Sequence, residues 1–316
     1  MRPVFAPPPR FWADVDTRYL AAWRARGLGD LRGDLQSELR ADPARELAAE
    51  SVGEPAVESA AKVTGGEPIA ILPVAATEQH GPHLPLGVDT FLLDGIISAS
   101  LAHLPDALQA LFLPTQTTGF SPEHAAFGGT LSLRAPTLIA LWTELAESVA
   151  KSGVKKIVLL NSHGGQAGLL DIVARDLRAR LGLLVVSTSW FQLPLGDAVQ
   201  GLFSAHEHRF GVHAGEIETS MMLALAPHRV NMRLAQDFAS TSTQRAAQFP
   251  ILGNGRSAKF AWATQDLNVT GAVGNASAAT ADKGRAVIAA AGQALAQLLM
   301  EVDALPLSTL VPQSDT

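Results

Sequence analysis

The segment IAILPVAATEQHGPHLPLGVDTFLLDGI, residues 69–96, runs from an apolar stretch into three potential metal ligands and then into a second apolar stretch. Residues 68–76 predict a buried strand, because the run is short, continuous and bounded by turn residues. Alternate residues of an extended segment project to the same side, so we expect Glu78 and His80 to face one cation together. Asp89 follows nine residues later and is the natural candidate for a carboxylate shared by two cations.

Strands and helices alternate along the chain beyond this segment. Such alternation predicts an α/β layered fold with a mostly parallel sheet. The segments between residues 191 and 212 and between 235 and 279 lack periodicity and are predicted to be irregular. The predicted strands are 68–76, 110–115, 155–161 and 183–189, and the predicted helices are 90–103, 136–152, 166–181, 214–226 and 280–303.

The N-terminal part of the chain differs in composition from the rest, being rich in Arg and Glu. We interpret residues 1–65 as an N-terminal extension, with one or two amphipathic helices over residues 33–62. The extension either docks on the core or on a neighbouring subunit, or it is a partly mobile tail. Residues 66–316 are predicted to form the main domain.

Two further clusters of potential ligands follow predicted strands. In parallel sheets, functional sites lie beyond the carboxyl ends of the strands, which is where these clusters fall. His163, in NSHGG (161–165), is interpreted as a ligand, with a plain strand-to-helix turn as the alternative. His213 opens HAGEIETS (213–220), in which Glu216 and Glu218 point roughly 200° apart on a helix of 3.6 residues per turn. Only one of these glutamates can therefore face the site, while acidic residues in a first helical turn also have a purely structural explanation.

Two assignments stay open at this level. Asp89 is also a plausible N-cap of the predicted helix 90–103, and both roles are compatible. The loop GFSPEHAAFGGT, residues 119–130, either covers the pocket and supplies Glu123 or His124 to the substrate, or is a surface loop or subunit contact.

Composition excludes several classes of function. The chain has no cysteine, so a metal would have to be held by His and carboxylate side chains, which suits Zn, Mn or Fe. The formal net charge is −6, and no basic cluster follows the N-terminal segment, which argues against nucleic-acid binding. The absence of an apolar signal region and of a run of about 18 apolar residues predicts a cytoplasmic protein without a membrane span.

Four sequence motifs follow one another along the chain. They are ILPVAATEQHGPHLPLGVDT (71–90), GFSPEHAAFGGTLSL (119–133), NSHGGQ (161–166) and HAGEIETS (213–220). In this order they resemble the motifs of the creatininase (creatinine amidohydrolase) family. A fifth segment, GAVGNASAATADKGRA (271–286), resembles the closing segment of that family. The resemblance covers about residues 66–290.

The resemblance implies a three-layer α/β/α fold with two divalent ions per subunit, Zn or Mn, with Fe as a further option. The implied reaction is hydrolysis of a C–N bond in a small amide, cyclic amides included, by a metal-activated hydroxide. The implied assembly is a homo-oligomer, with a hexamer favoured. By motif, His213 matches the catalytic histidine that moves protons, and Glu218 the second acidic residue, with both catalytic and metal-binding roles. The matched metal ligands are Glu78, His80, Asp89 and His163, with Asp89 bridging.

One position departs from the creatininases, which carry a metal-binding Glu where this chain has Gly165. Either Glu218 supplies the missing carboxylate, or the second ion binds weakly. Creatinine is therefore not the expected substrate. A metal-dependent hydrolase of a peptide or of a non-amide substrate is the alternative function, and a non-catalytic scaffold is the third.

Overall fold

The computed structural model of the chain describes residues 10–15 and 67–311. A four-stranded, fully parallel sheet forms its centre, with the spatial order β2-β1-β3-β4. β1 lies between β2 and β3, and its register places Ile69 opposite both Ala110 and Lys156. A second, antiparallel pair is formed by β5 and β6. The strands are β1 Ile69–Val74, β2 Ala110–Phe112, β3 Lys156–Asn161, β4 Leu184–Ser189, β5 Asp237–Phe238 and β6 Gly274–Asn275.

Nine α-helices occur within the described residues. They are α1 Val88–Leu101, α2 Ala135–Lys151, α3 Ala167–Leu181, α4 Asp197–Gln200, α5 Ala205–Phe210, α6 Glu216–Leu225, α7 Ser242–Gln248, α8 Thr264–Leu267 and α9 Ala281–Ala304. Short 3₁₀ helices lie at Trp12–Asp14, Pro122–His124, Gly164–Gln166, Trp190–Gln192, Pro227–Arg229, Met232–Leu234, Ala276–Ala278 and Leu307–Thr309.

The central sheet separates two hydrophobic cores, because successive side chains of a strand point to opposite faces. Ile69 and Ile71 of β1 belong to the core shared with α1, α6 and α9. Ala70 and Leu72 belong to the core shared with α2 and α3. All six residues of β1 and of β3 are buried, as expected for parallel strands covered on both faces. The predicted three-layer α/β/α architecture is therefore confirmed.

The long regular elements match their predicted ranges to within a few residues, with two corrections. Helix α1 begins at Val88 with Gly87 as its N-cap and no side-chain cap, so the prediction that Asp89 caps this helix is wrong. Because the helix starts earlier, Asp89 lies in its first turn. The segment 235–279, predicted to be irregular, contains α7, α8 and the β5–β6 pair, and the segment 191–212 contains α4 and α5.

The N-terminal residues 10–15 lie along the edge of the central sheet. Phe11 forms a parallel bridge with Phe112, whose backbone N–H donates to the carbonyl of Arg10 at 2.8 Å. The helices predicted over residues 33–62 fall outside the described residues, so they stay a prediction. The same holds for the division of the chain at residue 65.

Helix α9 is the longest helix of the described residues and packs against α1 and α6. By length and composition it could cross a membrane, with a mean hydropathy of 1.3 over 18 residues, but 44% of that window is buried inside the protein. Long core helices satisfy the same criterion. We attribute the apolar character of α9 to its packing in the core.

The contact between α9 and α6 depends on Gly284. A Cβ atom at this position would lie 1.9 Å from the carbonyl oxygen of Ser220, which belongs to the backbone of α6. Gly284→Ala should lower the free energy of unfolding by about 1–3 kcal/mol, the usual cost of overpacking a core. Gly168→Ala is the control, because a Cβ there meets nothing within 4 Å. Urea denaturation should show a loss of stability for Gly284→Ala and none for Gly168→Ala. A denaturation midpoint of Gly284→Ala equal to that of the wild type would contradict this packing.

Candidate metal centre

Ionisable side chains from five separate segments converge beyond the carboxyl ends of β1 and β3. All of them are buried except Glu123 and Glu218, which are partly buried. They come from the loop after β1, the first turn of α1, the loop 119–130, the end of β3 and the entry into α6. The residues are Glu78, His80, Asp89, Glu123, His124, His163, His213 and Glu218.

Glu78, Asp89 and His163 form a first group of potential metal donors. His163 Nδ1 lies 3.2 Å from Glu78 Oε1 and 3.6 Å from Asp89 Oδ2. One donor atom from each residue lies within 4.8 Å of the other two. A nitrogen and two carboxylate oxygens at this spacing suit a borderline divalent ion such as Zn²⁺ or Mn²⁺.

His80, Asp89 and Glu218 form a second group beside the first. His80 Nε2 lies 3.5 Å from Asp89 Oδ1 and 4.0 Å from Glu218 Oε2. Asp89 therefore presents Oδ1 to one group and Oδ2 to the other, which is the arrangement that a carboxylate bridging two ions requires. Glu218 reaches the cluster from helix α6. It is the residue that the sequence suggested as a replacement for the carboxylate missing at Gly165.

The neighbouring glutamate on the same helix faces elsewhere. Glu216 forms an ion pair with Lys283 of α9. Glu216 and Glu218 therefore diverge as the helical geometry predicted, and Glu218 is the one directed at the cluster. His83, which follows His80 in the loop, contacts Thr219 Oγ1 at 2.8 Å through Nε2 and belongs to none of the donor groups.

Each histidine of the cluster has one ring nitrogen held from outside, which leaves the other directed inward. His80 Nδ1 donates to the carbonyl of Glu78 at 3.0 Å, and His213 Nε2 donates to the carbonyl of Gln79 at 2.6 Å. His163 Nε2 lies 3.0 Å from the carbonyl oxygen of Phe120 and 3.1 Å from Glu123 Oε1. Metal-binding histidines are commonly oriented in this way, because the outer hydrogen bond fixes the tautomer.

His213 lies at the entry to α6 and packs against two other imidazoles in tilted orientations. Its ring centroid is 4.2 Å from that of His80 and 4.2 Å from that of His124. Because Nε2 is held by the Gln79 carbonyl, the available nitrogen is Nδ1, which lies 3.8 Å from Glu78 Oε1. His213 is thus placed either to exchange a proton at Nδ1 or to act as a further donor.

His124 is a buried cluster residue to which sequence reasoning assigned no metal-binding role. It ends the short 3₁₀ helix of the loop 119–130 and is almost fully buried, so the surface-loop interpretation of this residue is wrong. His124 Nε2 lies 3.4 Å from Glu78 Oε1, and Nδ1 contacts Thr264 Oγ1 at 3.0 Å. The signal in the sequence was its place two residues after a Ser-Pro pair within a glycine-rich loop, which does not reveal burial.

Several polar atoms of the cluster have no hydrogen-bond partner within the described residues. They are Glu78 Oε2, His80 Nε2 and Asp89 Oδ2, and all three are buried. Buried polar atoms are nearly always paired, so unpaired ones require an explanation. Divalent cations would satisfy all three atoms, since oxygen and imidazole nitrogen are the donors that Zn²⁺ and Mn²⁺ accept. The residues therefore fit a metal centre.

The pKa values of these groups show how strongly the charges interact. Burial would lower the pKa of His80, but Asp89, Glu218 and Glu78 raise it to about 9. Burial would likewise lower the pKa of His163, and Glu78, Glu123 and Asp89 raise it well above its ordinary value. Protons on these rings thus balance the carboxylates when no cation is bound. Metal binding would release them, so metal affinity should rise with pH.

Two groups at the edge of the cluster are shifted in ways that suit proton transfer. Burial raises the pKa of Glu218 to about 7, and its Oε2 accepts a hydrogen bond from Ala214 N–H at 2.6 Å. Burial, together with His80 and His124, lowers the pKa of His213 well below its ordinary value. Both groups therefore have a free acceptor atom at neutral pH in at least part of the molecules.

Seven of the eight cluster residues, all except His80, line a cavity of about 960 Å³. Its walls include the aromatic side chains of Phe120, Trp190, Phe191, Phe260 and Trp262. Trp190 and Phe191 follow β4, and Phe260 and Trp262 lie in the segment before α8. Cavities of roughly 300–1,000 Å³ accommodate drug-sized ligands, so this one is large for a small cyclic amide.

Comparison with known proteins agrees with the fold. A family model described as creatinine amidohydrolase (creatininase) matches residues 54–299. The mycofactocin precursor peptide peptidase of Mycobacterium tuberculosis is 30% identical over 240 residues, which cover 73% of this chain and 84% of the relative. Creatinine amidohydrolase of Pseudomonas putida is 27% identical over 205 residues, which cover 60% of this chain and 77% of the relative.

Solved structures extend the comparison to the metal. A structure described as the Mn form of creatininase aligns with a TM-score of 0.61 at 26% identity, covering 76% of this chain and 93% of that one. A mutant creatininase described as the Zn–Zn type aligns with a TM-score of 0.60 at 26% identity, covering 74% and 90%. Both alignments exceed two thirds of either chain.

Proposed function

Because this chain belongs to the creatininase family, we propose that it is a metal-dependent amidohydrolase with a centre for two divalent ions, Zn or Mn. The observation that carries the proposal is the position of Asp89, whose two oxygens face His80 in one donor group and His163 in the other. Glu78, His80, Asp89, His163 and Glu218 are the proposed ligands. Hydrolysis of a C–N bond is the proposed reaction.

The residues around the donor groups divide the remaining tasks. Divalent ions bound here would supply a Lewis acid and lower the pKa of a water molecule toward ~7. His213 holds its Nδ1 free and unprotonated, so this atom can accept a proton and pass it on. Glu218 is also proposed to take part in proton transfer, because it reaches the cluster from the same segment as His213 and its Oε2 is oriented by the Ala214 N–H at 2.6 Å. The aromatic side chains that line the cavity would contact apolar parts of a substrate.

A peptide is the second candidate substrate, and a specific observation favours it. The cavity of about 960 Å³ exceeds the needs of a small ring, and its aromatic lining suits apolar side chains. The similarity to a peptidase from Mycobacterium tuberculosis also supports a peptide substrate. The test is to compare hydrolysis rates at saturating metal for five kinds of substrate. They are creatinine, a set of lactams, N-formyl amides, short apolar peptides and a cyclic ketone. Turnover of the ketone alone would contradict the amidohydrolase proposal.

Metal binding should stabilise the protein measurably. At an ion concentration of 100 times Kd, binding to the folded state alone adds about 2.7 kcal/mol to the free energy of unfolding. Protein stripped with chelator should therefore unfold at a higher temperature after addition of Zn²⁺ or Mn²⁺. His228→Ala, which removes an exposed histidine outside the cluster, should keep the whole effect. Fewer than one bound ion per chain in the wild type would contradict the metal centre.

Assembly and location stay predictions. A homo-oligomer, with a hexamer favoured, can be tested by sedimentation of the full-length protein. Cytoplasmic location can be tested by fractionation of the native host cell.

A further inference from the structure

Glu123 lies next to the donor groups without belonging to the proposed ligand set. Its segment is the short 3₁₀ helix Pro122–His124, whose backbone is held by Thr264 Oγ1, which donates to the carbonyl of Glu123 at 3.0 Å. Glu123 Oε1 lies 3.1 Å from His163 Nε2. This nitrogen is on the far side of the ring from Nδ1, the atom that faces Glu78 and Asp89.

Gly165 makes the contact between Glu123 and His163 possible. A Cβ atom at position 165 would lie 1.8 Å from Glu123 Oε1 and 2.6 Å from His163 Nε2. Both distances are far below a van der Waals contact, so any side chain here would enter the space of the hydrogen bond itself. The neighbouring Gly164 differs, because a Cβ there meets nothing within 4 Å. Position 165 thus leaves room for a carboxylate that arrives from another segment.

The outer nitrogen of His163 has other acceptors within reach. Phe120 offers its carbonyl at 3.0 Å, and Ser121 Oγ lies at 3.4 Å. Both are neutral, whereas a carboxylate forms a charge-assisted hydrogen bond that is roughly twice as strong. A carboxylate bonded to the outer nitrogen also makes the inner nitrogen a better metal donor.

We infer that Glu123 is a positioning residue: it accepts the hydrogen bond donated by His163 Nε2–H and so would orient Nδ1 toward a bound metal ion. The absence of a side chain at Gly165 leaves the space that the Glu123 carboxylate occupies. The inference rests on the proposed metal centre. It gives the loop 119–130 a role in metal affinity and not only in covering the cavity. Since Glu123 acts through His163, its loss should weaken ion binding without changing the number of sites.

The test is the metal affinity of Glu123→Ala and Glu123→Gln, measured by competition with a chromogenic chelator for Zn²⁺ and Mn²⁺. Glu123→Ala should weaken the more affected site by about 10–100-fold, as is usual for partners of metal-binding histidines. Glu123→Gln keeps an oxygen acceptor but loses the charge, so its loss of affinity should lie between those of the wild type and Glu123→Ala. The metal-free variants should unfold at the same denaturant midpoint as the metal-free wild type.

Gly165→Ala provides a second, independent variant, with Gly164→Ala as its matched control. The methyl group at 165 should separate Glu123 from His163 and lower affinity as far as Glu123→Ala does. The methyl group at 164 enters open space and should leave affinity unchanged. Wild-type affinity in Gly165→Ala would overturn the inference, because the carboxylate would then not be seated where the structure has it.

The remaining outcomes also decide the matter. Wild-type affinity in Glu123→Ala would overturn the inference. An equal loss in both Glu123 variants, together with one ion fewer at saturating metal, would make Glu123 a direct ligand and overturn it as well. A wild type that binds no ion would contradict the proposed function itself, and this result is distinct from every variant-specific one.

Discussion

Asp89→Asn is expected to lower kcat/KM by at least about 100-fold, since residues that merely support metal ligands already cost 10–100-fold when lost. Asparagine keeps the shape of the side chain but replaces one charged oxygen by an NH₂ group, which cannot bind a cation. Because Oδ1 faces His80 Nε2 and Oδ2 faces His163 Nδ1, either orientation of the amide removes a donor from one group. Bound metal, measured by mass spectrometry, should fall together with activity.

The control for Asp89→Asn is Asp106→Asn, which changes an exposed aspartate outside the cluster. It should alter neither kcat/KM nor the amount of bound metal. Because Asp89 lies beside His80 and His163, the fold of the metal-free variant should be compared with that of the metal-free wild type by urea denaturation. This separates loss of metal from loss of structure. Full metal content and full activity in Asp89→Asn would contradict the bridging role.

His213→Ala is expected to lower kcat by about 10²–10⁴-fold, the range typical of a lost general acid or base. Only its Nδ1 is available, because Nε2 is bonded to the Gln79 carbonyl, and Nδ1 lies beside Glu78. KM for the best substrate should change little if the imidazole acts on protons alone. The measurement is steady-state kinetics of fully metal-loaded enzyme, with metal content determined on the same samples.

Metal content distinguishes the two roles that the geometry allows for His213. Retention of both ions with the loss of turnover would support proton transfer at Nδ1. Loss of one ion would instead assign His213 to the donor group that it forms with Glu78 and His80, and would contradict the proposed catalytic role. His206→Ala, which removes an exposed histidine of helix α5, is the matched control and should behave as the wild type.

The fold could be predicted because its signals are local. A run such as residues 69–74 is apolar throughout and bounded by turns, so it indicates a parallel strand buried on both faces. Gly182, in the left-handed conformation with φ 64°, ends α3 where the sequence placed the end of the helix. The short elements α7 and α8 were missed, because helices of four to seven residues depend on tertiary contacts and carry no clear periodicity.

The donor set was partly predictable for the same reason. Glu78, His80 and His163 follow directly after strands, so the edge of the sheet at which they emerge is known once the strands are known. The position of His124 depends on the path of a loop and on Thr264, 140 residues further along the chain. No local pattern encodes such a contact. The place of Glu123 above Gly165 was hidden by the same dependence on tertiary structure.

The dispersal of the donors over five segments has a consequence for how the protein matures. Each group of three donors joins residues from at least two of these segments, so none of the groups exists before the chain has folded. Packing of apolar side chains on both faces of the central sheet holds these segments together. We therefore expect ion binding to follow folding, because no short segment of the chain supplies a complete set of donors.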